Sequence, residues 1–247
     1  MKRDLEKYLI DYKELPFERI QEHYRKKKII EWLGKYKNIK INILEIGCGE
    51  DSIFNHWSHE GNKIIVEPIK ELLYSEKNNL DGKNIEKINS RIEEVIINFD
   101  KFFDIVILSS LIHEIENPVH FLSLVKDTVK KNGKILVVTN NKQSIHRILG
   151  VNLGLLTNLN SKTDTEKIMQ QKTGAFSKID LEILVKNCEM KITRIETFSP
   201  KILPHSMMKD ALDSGCIDEK FLDQMYALIQ WIPDFGSEII MELVKDE

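Results

Sequence analysis

Ile41-Asn42-Ile43-Leu44-Glu45-Ile46-Gly47-Cys48-Gly49 is the stretch from which the fold of this chain can be read. Ile41, Ile43, Leu44 and Ile46 make a short apolar run, suited to a strand covered on both faces of a parallel sheet. The run stops at Gly-Cys-Gly, where glycine permits a sharp turn and leaves the backbone amides open to a ligand. Glu50-Asp51-Ser52-Ile53-Phe54 follows and is expected to open a helix. Strand, glycine turn and helix start together describe a nucleotide-type cofactor site. A dinucleotide fingerprint fits less well, because its third glycine would fall at Ser52. Glu45 places a carboxylate near the buried end of the strand, where an unpaired charge is expensive and a cationic ligand would offset the cost. The alternative is a solvated turn carboxylate.

With Glu45 beside Gly47 and Gly49, the stretch resembles motif I of the class I S-adenosylmethionine-dependent methyltransferases, whose cofactor carries an ammonium and a sulfonium. The resemblance implies an α/β fold: a Rossmann-like, mostly parallel seven-stranded sheet with an antiparallel last strand, helices on both faces, N-terminal helices and a lid. It extends over roughly Ile41 to Val244 and points to the small-molecule branch of the family, which includes ubiquinone and sugar-pathway enzymes.

Outward from the glycine turn, Ile64-Ile65-Val66 suits a second buried strand, Glu67 ends it and Pro68 is expected to start a helix. An acid about 20 residues beyond the turn is placed to accept both hydroxyls of a ribose. Read alone, Glu67 is also explained as a helix N-terminal acid favoured by the dipole; beside the first motif, ribose binding is the favoured reading. A third short strand over Ile85–Ile88 leads to Asn89-Ser90-Arg91-Ile92. The resembled family often has an acidic acceptor for adenine here. This chain has Arg91 instead, leaving backbone groups around Arg91 and Ile92, with Ile92 against the ring.

Phe103-Asp104-Ile105-Val106-Ile107-Leu108 is a fourth strand running into Ser109-Ser110-Leu111-Ile112-His113-Glu114. Asn117 caps and Pro118 starts a helix whose stripe, Leu122, Val125 and Val129, reaches Asn132-Gly133. The segment from Ser109 to Asn117 therefore lies at the carboxyl edge of a central strand, where ligands collect in open α/β sheets. The family often reads Glu-His there; here the order is His113-Glu114. Histidine has an unperturbed pKa near neutrality, so His113 is either the base for an acceptor hydroxyl or ammonium, or a histidine that fixes its loop. Ser109 belongs with the cofactor residues.

A fifth strand, Lys134–Thr139, is followed by Asn140-Asn141-Lys142-Gln143-Ser144-Ile145-His146-Arg147, similar to a Pro-Asn…Ser-x-His-Arg stretch in one branch of the family. Asn141 at a strand end is a candidate to orient a polar substrate. Arg147 would pair with a phosphate or carboxylate, or tie the lid to the body. His146 joins them as a candidate. Residues 1–37 read as helices, with Tyr8, Tyr12, Tyr24 and Arg25 as candidate pocket contacts. The run Arg25-Lys26-Lys27-Lys28 is expected to be mainly a solvated helix face. Late in the chain, a helix through Leu181–Cys188, a strand over Met190–Phe198, a helix through Phe221–Leu228 and a strand over Ser237–Val244 suit the antiparallel edge of the sheet. Lys201 and His205 fall between them, with the surface as their expected place and the substrate opening as the alternative.

With 247 residues, the chain suffices for one α/β domain with a lid. We divide it into an N-terminal helical cap (1–37), a cofactor-binding core (38–140), a lid region (141–178) and the C-terminal part of the sheet (179–247). A formal net charge of −3 gives no support to general nucleic-acid binding. The start lacks an apolar signal region and no apolar run is long enough to span a bilayer, so a cytoplasmic protein without membrane partners is expected. The three cysteines fit no zinc or CxxC pattern, and no acid pair for catalytic magnesium is recognisable, so metal independence is expected. The resemblance implies methyl transfer from S-adenosylmethionine, leaving S-adenosylhomocysteine, to nitrogen or oxygen of a small acceptor. His146, Arg147, Lys201 and His205 favour an anionic one, a phosphorylated amine or sugar. A cofactor-binding regulatory or partner protein without turnover is the alternative. The oligomeric state stays open.

Overall fold

A computed structural model describes residues 5–15, 17–80, 84–96, 99, 102–199 and 201–246. Residues 1–4 of the expected helical cap lie outside the described residues. Two helices, α1 (Leu5–Glu14) and α2 (Glu18–Leu33), precede the first strand. Five strands then follow: β1 (Ile43–Ile46), β2 (Lys63–Val66), β3 (Ile85–Ile88), β4 (Phe103–Ser109) and β5 (Val129–Asn140). Between them lie the one-turn helices α3 (Lys70–Leu73) and α4 (Ile92–Val95), and the longer α5 (Pro118–Thr128). The second half adds α6 (Ile145–Asn152), α7 (Asp164–Ile168), α8 (Lys178–Asn187), β6 (Met190–Phe198), α9 (His205–Asp213), α10 (Glu219–Leu228) and β7 (Glu238–Lys245).

All seven strands form one sheet in the order β3-β2-β1-β4-β5-β7-β6. Strands β1 to β5 pair in parallel, and β7 inserts antiparallel between β5 and β6. This is the expected architecture. The order reverses between β1 and β4, so the crevice of the sheet opens beyond the carboxyl ends of those two strands.

The apolar runs are continuous because successive side chains serve opposite cores. Leu44, Ile46, Val66, Val106 and Leu108 pack with Leu122 and Val125 of α5 and Leu181 and Val185 of α8. Ile43, Ile65, Ile105, Ile107 and Val138 pack with Ile29, Trp32 and Leu33 of α2 and with Phe54 and Trp57. A smaller cluster of Phe17, Tyr24, Met208 and Leu222 joins α2 to α9 and α10.

Three expectations are corrected. The helix after Gly-Cys-Gly is a single 3₁₀ turn, Ile53–Asn55. Glu45 accepts the Ser52 hydroxyl and the Ile53 N–H (3.1 Å), and Asn78 accepts the Ser52 N–H (2.7 Å), which holds the chain in a loop. Pro68 does not begin the next helix: Glu67 Oε1 accepts the Ile69 N–H (2.9 Å), and helical turns start at Lys70. Helix α5 keeps its Asn117 cap and leading Pro118 but ends at Thr128, before the Asn-Gly pair. Val129 is already in β5, whose pairing with β4 shifts register between Phe103 and Ile105. Helices α6 and α9 were not legible as periodic runs. Among the described residues no helix is long and apolar enough to cross a membrane.

Candidate active site

Beyond the carboxyl ends of β1, β2, β4 and β5 lies a cavity of about 530 Å³, within the usual range for a small-molecule site. Its outer end is built from strand ends. The Gly47 N–H donates to Val66 O (2.9 Å), which fastens the turn to β2. Gly47 and Gly49 have φ of 77° and 60°, the left-handed region that side chains disfavour. Tyr12 of α1 comes down over this turn, so that a Cβ on Gly49 would lie 3.4 Å from its hydroxyl. The Tyr8 ring stacks on Tyr12 with centroids 5.9 Å apart, and its hydroxyl donates to Glu114 (3.4 Å).

Two buried carboxyls face the turn. Glu45 is 3% exposed, and both its oxygens are occupied by the loop beyond the turn. Glu67 accepts from Ile69 through Oε1 and from the Gly49 N–H through Oε2 (3.4 Å). Burial pushes each up to about 7, against the opposing pull of these hydrogen bonds. The same end is lined by Pro68, Arg91, Ile92 and Ser109. Ser110, next along, is held at φ 59°, backbone strain of the kind that gathers at functional sites. Cys48 also lines it, but burial pushes its thiol well above the usual value, which removes it as a nucleophile.

The cavity runs inward past His113. His113 is 1% exposed, with Nδ1 3.1 Å from Thr139 Oγ1. Its carbonyl accepts the N–H groups of Lys172 and Thr173 (both 3.1 Å), so the excursion between α6 and α8 is fastened to the β4 loop.

The inner end is charged. Arg25 of α2 donates from Nε to Glu238 of β7 (2.7 Å) and from Nη2 to Glu18 (3.2 Å). Burial works against its charge, but these two carboxylates outweigh it and raise its pKa. Back at the glycine turn, where a Cβ on Gly49 would lie 3.9 Å from Glu22, Lys26 pairs with Glu22 (2.8 Å) and Asp51 (2.6 Å). Despite its burial, Asp51 is lowered to about 2 by Lys26 and His56. The Arg25-Lys26 pair is therefore buried structure and not a solvated face, whereas Lys27 is half-buried. Arg147 donates to Glu166 (2.8 Å), to Leu159 O (3.0 Å) and to Ser161 O (2.5 Å), tying the excursion to the body. His146, His205 and Lys201 line the same end; the surface expected for Lys201 and His205 is corrected.

The sequence candidates thus converge on one cavity, though the substrate candidates Arg25 and Arg147 are engaged by the protein's own groups, and Tyr24 and Asn141 differ in place or use. Tyr24 lies outside the cavity lining, in the small cluster under α9 and α10, its hydroxyl donating to Asp223 (3.2 Å). Asn141 lines the cavity but spends its amide on the chain: Nδ2 donates to Asp234 O and Gly236 O (both 2.7 Å) and Oδ1 accepts from Gln143 N–H. That leaves it holding the β5 and β7 ends together. Glu18, Glu166 and Gln171 were not singled out from sequence. Glu166 alone had a legible signal, the Thr163-x-x-Glu166 capping box that opens α7. Among the described residues no group of three His, Cys, Asp or Glu is placed to hold a metal ion.

Residues 44–137, from β1 to the middle of β5, match the family described as methyltransferase domain. Over that segment the chain is similar to the methyltransferase domain. The chain is similar to the ubiquinone biosynthesis O-methyltransferase of Rickettsia typhi, 28% identical over 137 residues that span 52% of this chain and 54% of the relative. Its likeness to the enzyme of the same name from Rickettsia conorii is 32% over 119 residues, 45% of this chain and 39% of the relative. The chain thus spans about half the length, or less, of these relatives. Among solved structures, the plantazolicin methyltransferase BpumL in complex with a monoazolic desmethylPZN analog and SAH superposes with a TM-score of 0.56 at 19% identity, covering 96% of this chain and 87% of that one. Magnesium protoporphyrin IX methyltransferase (ChlM) from Synechocystis PCC 6803 with bound SAH gives 0.57 at 10% identity, covering 92% and 84%. At such identities the likeness is one of fold.

Proposed function

We propose that this protein is a class I methyltransferase, transferring a methyl group from S-adenosylmethionine to nitrogen or oxygen of a small acceptor bearing an anionic group, such as a phosphorylated amine or sugar. The observation that carries the reading is one cavity with two unlike ends: a glycine turn facing buried carboxyls at one, and Lys201, His146 and His205 at the other. The donor set fits the cofactor. The left-handed Gly47 and Gly49 leave their backbone open beside the amino-acid end, and Glu67 offers acceptor oxygens suited to a vicinal diol. Ile92 and the backbone about Arg91 would take the adenine, with Pro68 and Ser109 beside it. Bound there, S-adenosylmethionine supplies an electrophilic methyl on a sulfonium. The chain's own residues then exclude water and align the acceptor.

His113 is the candidate proton acceptor. Its Nδ1 lies against Thr139 Oγ1, and the ring lines the cavity in which an acceptor hydroxyl or ammonium would give up its proton. The cytoplasm is the proposed location, consistent with free Cys48, Cys188 and Cys216. The test is calorimetry with S-adenosylhomocysteine and NAD, then a product assay over amines, phosphoamines and hydroxylated metabolites. Micromolar binding of the first compound alone, with turnover of an anionic acceptor and no loss on exhaustive chelation, is expected. Binding without turnover of any class would leave the regulatory alternative.

A further inference from the structure

The inner end of the cavity holds groups whose hydrogen-bonding capacity the fold leaves unused. Lys201, between β6 and α9, is 6% exposed and lines the cavity. Among the described residues no carboxylate comes within ion-pair distance of it. Beside it, Nδ1 of His146 and Nδ1 of His205 are both buried without a hydrogen-bond partner. These imidazoles stand in the first turns of α6 and α9, so two helix N-termini bring partial positive charge to the same place. Other charges face them from α2, α6, α7 and β7, and Glu18, Glu238 and Glu166 among them act on Lys201, Glu238 with its Oε2 buried and unpartnered. Arg25 from α2 is held by Glu18 and by Glu238 of β7, and Arg147 from α6 by Glu166 of α7. Lys201 is thus balanced only at longer range, with no carboxylate in contact with its ammonium, which leaves its donors open to an oxyanion.

We propose that this end of the cavity is a proton-coupled oxyanion subsite: a phosphate or carboxylate of the acceptor sits among Lys201, His146 and His205, and its arrival draws a proton from solvent onto the imidazoles. The inference rests on reading the cavity as an acceptor site. Burial, and then the charge of Lys201, hold both imidazoles well below their usual value, so they are neutral before the anion binds. Burial likewise lowers Lys201 to about 8. An anion cancels the mutual repulsion and stabilises each protonated form. The sign follows: affinity is greatest on the acid side, and falls as pH rises through the imidazolium value of the complex and again through that of Lys201.

The experiment is titration calorimetry of sulfate into the full chain saturated with S-adenosylhomocysteine, at pH 7, in two buffers of different ionisation enthalpy. Sulfate does not titrate there, so every proton counted belongs to the protein. We expect sulfate binding with uptake of about one proton. His146→Gln and His205→Gln should each reduce the uptake and weaken sulfate about threefold to tenfold. Lys201→Met should weaken it about 30-fold or more while leaving S-adenosylhomocysteine affinity unchanged. Sulfate binding with no buffer dependence, or no sulfate binding at all, overturns the subsite, and neither result needs a variant that folds. If S-adenosylhomocysteine fails to bind, it is the methyltransferase reading that falls, and the same sulfate titration on the protein alone still decides the subsite.

Discussion

At the outer end of the cavity, Gly47, Gly49, Glu67, Ile92 and Ser109 each lie in or just beyond a strand end, in segments where chain order and spatial order coincide. At the inner end, Arg25, Arg147, Glu166, Lys201 and Glu238 come from α2, α6, α7, the β6–α9 segment and β7, far apart in the chain. The first end works through backbone geometry and two carboxyls that burial keeps near neutrality. The second works through side chains that must find counter-charges across the molecule. A cofactor common to many enzymes suits a site that short motifs can carry, whereas a particular acceptor is met by tertiary contacts.

The comparison is sharpened most by breaking the inner ion pairs. Arg25→Met leaves Glu18 and Glu238 buried without their cation and should destabilise the protein by about 3–5 kcal/mol in urea unfolding. A loss below about 1 kcal/mol would show that α2 is not fastened to β7 through this pair. The outer end should show its carboxyls in the pH dependence of stability. Glu45 and Glu67 stand near 7, above the roughly 4.3 of an exposed glutamate. The stability they contribute is complete below about pH 4 and is lost as pH rises through 7, by roughly 3 kcal/mol per carboxyl. Glu67→Gln should remove its share of that slope in the ligand-free protein, and an unchanged slope would refute the assignment.

Glu67→Ala should next weaken S-adenosylhomocysteine by about 2 kcal/mol, roughly 30-fold in calorimetry, with acceptor affinity little changed. An equal loss for cofactor and acceptor would mean that the two ends are not separable. The smallest effect is expected on the rim. Lys13 and Glu50 approach only to 3.8 Å with Lys13 half exposed, so Lys13→Ala should change stability and cofactor affinity by less than about 0.5 kcal/mol. A larger effect would show α1 to be held by charge and not by its tyrosines.

The strand runs, the strand ends and the positions of Glu45, the two glycines and Glu67 were written in the chain because each is a local pattern: a short apolar run, a turn residue, an acid at a set distance; the seven-stranded sheet followed only from the family resemblance. Even there the loop after Gly49 escaped, since Glu45 reaches Ser52 and Ile53 only once the chain has folded back. Lys201 and the Arg25-Lys26 pair resemble ordinary surface charges in sequence. Their burial was decided by Glu18, Glu22, Asp51 and Glu238 and by the packing of α2, α6 and α9 around one cavity. Periodicity reports what a residue's neighbours in the chain require; whether a charge is solvated depends on neighbours that only the tertiary fold supplies.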